Sequence, residues 1–207
     1  MGLFKRIADE LVDKAEREAE DAILDKIDEA EEAILEKIRK VDTNIKGKMI
    51  TDFGKFKTKW TKDSKTPEKS VLYFMIAALN AASDKKLGEG MATLILPKPY
   101  LLKDAKSPSG FKINPEEIGQ SIFVMWDDPI TVKSYLGGKV KDGYEIDEDK
   151  LVMHVIGKSI AGKESIIQIT NADGHSQATC ALKRNKLGQW KIFTIESPDV
   201  GKVEDDF

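Results

Sequence analysis

Two histidines and one cysteine are the residues of this 207-residue chain best suited to proton transfer, nucleophilic attack or soft-metal binding. His154 stands in Leu151-Val152-Met153-His154-Val155-Ile156, a stretch of strand character in which Val152 and Ile156 share its face. It reads as a structural, half-buried histidine. His175 follows Asp173-Gly174, a hairpin-turn signal, and reads as solvated. Cys180 alternates with Ala178 and Leu182 and reads as core. A thiolate nucleophile needs an adjacent base, and the sequence offers none nearby. At these spacings the three residues form no metal-ligand set.

The acidic clusters are equally short of a mechanism. Asp127-Asp128-Pro129 pairs two carboxylates, but neighbours in sequence point apart, and Asp-Pro favours a turn. Asp142-Gly143-Tyr144-Glu145-Ile146-Asp147-Glu148-Asp149 has the charge for calcium, yet its glycine comes second and its glutamates miss the closing bidentate position of an EF-hand. It reads as an acidic loop between strands. Gly137-Gly138-Lys139 lacks the first glycine and the Ser/Thr of a phosphate-binding loop. No cofactor or metal is expected from these patterns.

From Lys46 to Lys69 the charge is basic: Lys46, Lys48, Lys55, Lys57, Lys59, Lys62, Lys65 and Lys69 face Asp52, Asp63 and Glu68, with Phe53, Phe56 and Trp60 interleaved. Such a mixture can bind single-stranded nucleic acid. It can also be the polar face of a short strand (Phe53, Lys55, Lys57, Lys59) or compensate an acidic segment before it. The nucleic-acid reading has little support without an RNA-binding module or zinc knuckle. The chain's net charge of −3 makes no global case for nucleic acid or anionic membrane. One cysteine allows no intrachain disulfide. With no apolar leader after Met1-Gly2-Leu3-Phe4-Lys5-Arg6, this points to a reducing cytoplasm. No run of about 18 apolar residues is present to span a bilayer.

The element in front of all this is a long amphipathic helix, expected from about Leu3 to about Val41 because residues 3–46 contain neither Gly nor Pro. Leu3, Ile7, Leu11, Ala15, Ala19 and Ile23 recur every fourth residue. Ile23, Ile27, Ala30, Ile34, Ile38 and Val41 then step as a near-heptad seam. Three readings stand: packing along its own domain, assembly with other chains through the seam, and a membrane-surface helix with Leu3, Phe4 and Ile7 as an interfacial tip beside Lys5 and Arg6. The acidic remainder opposes the last.

Behind it, residues 46–65 read as a basic connector, 66–198 as an α+β domain and 199–207 as an acidic tail. Thr66-Pro67-Glu68 opens a core helix ending near Ser83. Met91–Leu96 fits helix or strand. Asn114 and Glu117 form a capping pair for a helix to about Val124. Strands are expected at Ile130–Tyr135, Leu151–Ile156, Ser165–Thr170, Gln177–Arg184 and Gln189–Glu196, with turns at Asp173-Gly174 and Asn185–Gly188, giving an antiparallel sheet.

Over about residues 66–198 the chain resembles a bacterial domain family of unknown function. The resemblance is carried by Leu94-Ile95-Leu96-Pro97-Lys98-Pro99, Ser134-Tyr135-Leu136-Gly137, Asn171-Ala172-Asp173-Gly174, Ala181-Leu182-Lys183 and Gly188-Gln189-Trp190. The chain departs from that family's pattern at Leu136, where an aromatic is usual, and lacks its arginine before the Leu-Arg pair. That resemblance brings no activity. The helix from Pro67 to Ala82 with the strands around Ala178–Arg184 and Gly188-Gln189-Trp190-Lys191-Ile192 is also similar to nuclear-transport-factor-2-like cones. This likeness implies a small-ligand pocket or a dimer, and, in an enzyme, an Asp/His pair for which His154 with Asp127 or Asp128 is the candidate. Taken together, the sequence points to a non-enzymatic cytoplasmic binding or assembly protein. Its partner is expected to be protein, as a homo-oligomer or a helix-mediated complex. A cone-like ligand binder or enzyme and a peripheral membrane protein are the alternatives.

Overall fold

Val41 and Ile45 stand four residues apart, a spacing that places two side chains on one face of a helix and equally on one face of a strand. The chain takes the second course. In the computed structural model, which describes residues 38–118, 122 and 126–196, Arg39–Gly47 forms strand β1. This corrects the expected end of the long helix, since Val41 is extended. Val41 and Ile45 are half-buried against the core. β-Branched Val41, Thr43 and Ile45 favour the pleated conformation over a helical one. Ile38 precedes the strand and is half-buried. The other seam residues Ile23, Ile27, Ala30 and Ile34, the tip Leu3, Phe4 and Ile7, and the tail from residue 197 lie outside the described residues.

The basic stretch contains an element of the fold. Phe53–Asp63 is helix α1, started by Asp52, whose carboxylate accepts from Lys55 N at 2.7 Å. The alternation Phe53, Lys55, Lys57, Lys59 is therefore helical surface, not a strand face. The buried pair is Phe56 and Trp60, one helical turn apart. Helix α2 spans Pro67–Ser83 as the Thr66-Pro67 signal predicts, although the Thr66 hydroxyl donates to Asp63 O instead of capping. From Ser70 to Asn80 every α2 residue is buried, so neighbours cover it on all sides. Asn80 Nδ2 donates to Ile50 O and Ile76 O, which satisfies a buried amide. Asp84 caps helix α3, Lys85–Thr93. A Cβ on Gly88 would stand 2.2 Å from Ala81 N. Only glycine lets α3 fold back this closely on α2. Met91–Leu96 thus divides between the end of α3 and a turn.

Leu101–Lys103 (β2) and Phe111–Ile113 (β3) form a small antiparallel hairpin. Asn114 heads a turn through Glu117, and residues 119–121 and 123–125 lie outside the described residues. The stretch expected as strand Ile130–Tyr135 is a helix, α4, Pro129–Tyr135. Asp128 caps it, accepting from Ile130 N, Thr131 N and the Thr131 hydroxyl. The β-branched Ile130, Thr131 and Val132 suggest a strand, but the Asp-Pro start outweighs them.

Four strands close the chain: β4 (Leu151–Ala161), β5 (Glu164–Thr170), β6 (Gln177–Arg184) and β7 (Trp190–Glu196). They make an antiparallel meander, and with β1 the five-stranded sheet runs β1-β4-β5-β6-β7. The class is α+β. Met153, Val155, Ile167, Ile169, Cys180, Leu182 and Ile192 face the helices and are buried with α2 in one core. Polar ties fix β7 to the helical layer: Ser70 Oγ donates to Trp190 O at 2.9 Å, Trp190 N to Ser64 O at 2.9 Å, and Trp190 Nε1 to Lys65 O at 3.1 Å.

Candidate functional site

Period-2 alternation in β7 sends Trp190 and Ile192 into the core, so Lys191 and Phe193 project from the other face. That face is not bare. The turn after α3 and the β2–β3 hairpin rise beside it, and between them and the β6–β7 hairpin lies a groove of about 610 Å³. Its apolar wall includes Trp60, Leu94, Leu96, Pro97, Leu101, Phe111 and Phe193. Its cations are Lys98, Lys183, Arg184, Lys186 and Lys191. Among the residues lining it there is no carboxylate. Glu164 reaches Lys183 from outside, at 2.9 Å between two exposed side chains.

Lys191 is the unusual group. Its ammonium lies 4.5 Å from the centroid of the Trp60 ring and donates to Leu94 O at the end of α3. The ring face and the helix-end carbonyl both favour the charged form. Burial opposes them and prevails, lowering the pKa from 10.5 to about 8. The Trp60 indole N–H is buried and has no acceptor among the described residues. Tyr100 stacks edge-on to Phe193 at 5.9 Å and donates to Phe193 O. The β6–β7 turn is held by Asn185, whose side chain accepts from Leu187 N and Gln189 N, and by Lys65 donating to Leu187 O.

A second cleft of about 640 Å³ gathers the basic stretch: Lys46, Lys48, Lys59, Lys62, Lys69 and Lys150 surround Leu72, Tyr73 and Ile76. Several of its charges are already engaged. Lys48 pairs with Asp149 at 3.3 Å, Lys69 donates to Lys46 O, and Lys150 pairs with Asp147. Asp63, which also lines the cleft, accepts from Tyr73 at 2.8 Å, and burial with that bond drives the phenol pKa upward. The groove beside β7 is the stronger site, because its amine is desolvated and its wall carries no opposing charge.

The residues singled out for chemistry do not converge. His154 is half-buried on the face of β4 away from the core, with Nε2 2.7 Å from Asp42 Oδ1 in β1. Its carboxylate partner is thus Asp42, not Asp127 or Asp128. Asp128 is occupied as a helix cap. His175 lies in the turn its sequence indicates, its backbone N–H bonded to Asn171. Cys180 is fully buried and its thiol is pushed up to about 12, which makes it inert core. Gly137 and Gly138 end α4: Gly138 N bonds Lys133 O, and a Cβ there would meet Tyr144 O at 2.7 Å. Among the described residues no group of three or more His, Cys, Asp or Glu is placed to hold a metal, and no helix is long and apolar enough to cross a membrane.

The groove was not readable beforehand. Lys191 follows Trp190 in an alternating strand, so its outward direction is legible, but nothing local says that Trp60, 131 residues earlier, covers it. Comparison with protein-family models, curated proteins and solved structures finds no match.

Proposed function

We propose that this chain is a binding module whose groove beside β7 takes an amphipathic anion, a molecule with an apolar body and an acidic head group. The observation that carries the reading is the groove itself: an apolar floor, five cations and no carboxylate in its lining. The apolar body covers the leucines and aromatic rings. The head group pairs with Lys191, whose desolvated ammonium gains most from a counter-charge. Isothermal titration with dodecanoate, dodecanol and dodecyltrimethylammonium tests it. Dodecanoate is expected to bind best. Equal binding of the cation, or no binding of dodecanoate, removes the proposal. The cone-like resemblance fits this ligand-binding reading, while its Asp/His enzyme variant is not supported by a pairing of His154 with Asp127 or Asp128.

A second reading concerns assembly, favoured by charge partition along the chain. Residues 1–37 hold 13 Asp and Glu against 6 Lys and Arg, a net of −7, while the other 170 hold 23 against 27, a net of +4. In this reading Ile23, Ile27, Ala30 and Ile34 form a seam to other copies or a protein partner. Light scattering on the full chain checks it: a monomer at all concentrations ends the homo-oligomer.

A further inference from the structure

Two ordered tips in the lining of the groove each present an exposed apolar side chain. Leu187, on the β6–β7 turn, has 71% of its surface exposed, the highest among the large apolar residues described. Phe111, at the start of β3, is 39% exposed and lines the same groove. Neither tip is loose. Leu187 is held through both its backbone groups, N–H to Asn185 and C=O to Lys65. Phe111 is paired with Lys103 in the β2–β3 ladder. Single exposed apolar groups are common, but these two stand on ordered elements and line one apolar groove, which makes them part of a continuous apolar surface.

Three cations of the groove have no carboxylate partner among the described residues. Lys98, Lys186 and Arg184 belong to the same groove. Lys183 of the same groove is paired with Glu164, while Asp104 accepts from the backbone N–H of Lys106 and Glu89 from that of Ile113. Apolar side chains ringed by unopposed cations match the interfacial layer of an anionic bilayer, where the apolar groups enter the acyl boundary and the cations meet the head groups. A nucleic acid would meet the same cations. It would also meet the rings of Trp60, Phe111 and Phe193, but the most exposed apolar group, Leu187, gives a base nothing to stack on.

We propose that the mouth of this groove docks on an anionic lipid surface, with Leu187 and Phe111 entering the interface and Lys98, Arg184 and Lys186 facing lipid head groups. The inference rests on the groove as a site for amphipathic anions, and it names their source. Docking would place the open end of the groove against the acyl layer, so a fatty-acid-like ligand passes in without crossing water. The residues invoked are different from Leu3, Phe4 and Ile7, so the two modes can be told apart by substitution.

The test is flotation of the full-length chain with phosphatidylcholine vesicles, with and without phosphatidylglycerol, alongside dodecanoate titration. Leu187→Glu is an exposed-site change, and a melting curve verifies that it folds. Flotation is expected only with the anionic vesicles. It should fall roughly tenfold in Leu187→Glu, the loss of one leucine's transfer into an apolar layer, while Phe4→Glu leaves it unchanged. Lys186→Glu should weaken it further at low salt than at high salt. The docking proposal is overturned if the wild type does not float with anionic vesicles, if Leu187→Glu floats equally well, or if only Phe4→Glu abolishes flotation. Dodecanoate binding by the wild type, together with flotation that is lost in Leu187→Glu, supports docking and the groove alike. Flotation that depends on Leu187 without any dodecanoate binding keeps the docking surface and removes the groove reading.

Discussion

The ammonium of Lys191 stacks on the indole of Trp60, 4.5 Å from the ring centroid, and joins the sheet edge to helix α1. This contact makes an outward-facing strand residue part of a covered site. It combines a weakly solvated charge with a ring whose own N–H has no acceptor among the described residues.

Binding should depend on that ammonium. Lys191→Met is expected to weaken dodecanoate about ten- to a hundredfold, the range for losing one hydrogen bond to a charged group. Lys191→Arg should restore part of the affinity. In the wild type, affinity should be level below pH 8 and decline as pH rises through about 8, where Lys191 loses its proton. Calorimetry between pH 6 and 9.5 checks this, and a Lys191→Met chain with wild-type affinity would refute it.

Stability should carry the opposite sign. The folded-state pKa of Lys191 lies below its ordinary 10.5, so between about 8 and 10.5 the unfolded chain holds the extra proton and stability rises with pH. Cys180 and Tyr73 act the other way once their ordinary values of 9.0 and 10.0 are passed, because burial keeps both protonated in the folded state. The window for Lys191 alone is therefore pH 8 to 9. There the wild type should gain about 1 kcal/mol relative to Lys191→Met, since one pKa unit corresponds to about 1.4 kcal/mol. Urea titrations at the two pH values measure it.

Trp60 should tolerate loss of its nitrogen better than loss of its ring. Trp60→Phe removes a buried donor that has no acceptor among the described residues, which offsets part of the lost packing. Trp60→Ala should cost about 3–5 kcal/mol, and Trp60→Phe less than half of that. Denaturant midpoints at constant m-value separate the two.

Asp128 should behave as a cap and not as an acid. Asp128→Ala removes three acceptor contacts at the start of α4 and should cost about 1–2 kcal/mol. Asp128→Asn should recover most of this, because the amide oxygen still accepts. An equal loss in both variants would mean that the charge matters more than the cap.

Much of the architecture was legible because its signals are local. Thr66-Pro67 located the start of α2, and the alternation through Ser165–Thr170 and Gln177–Arg184 located β5 and β6 within a residue. The differences arise where two periods coincide or two local rules conflict. Val41 and Ile45 share a face in helix and strand alike, so their spacing could not separate the two. At Ile130–Tyr135 β-branched side chains argued for a strand while Asp128-Pro129 started a helix, and the cap prevailed. In the lysine-rich stretch, the positions Phe56 and Trp60 held the helical signal that the alternation of Phe53 with lysines concealed.

By itself the sequence determined the α+β class, the meander of β4 to β7 and the buried cysteine. Those properties follow from residue type and short-range period, which act within a few bonds. Tertiary structure alone decided where a ligand could sit. The groove joins Trp60, Leu94, Phe111 and Lys191, which come from separate elements, and its character depends on which charges end up without a carboxylate opposite them. Desolvation is a property of all the atoms around a group. It could turn an ordinary lysine in a strand into a desolvated ammonium only once the chain had folded around it.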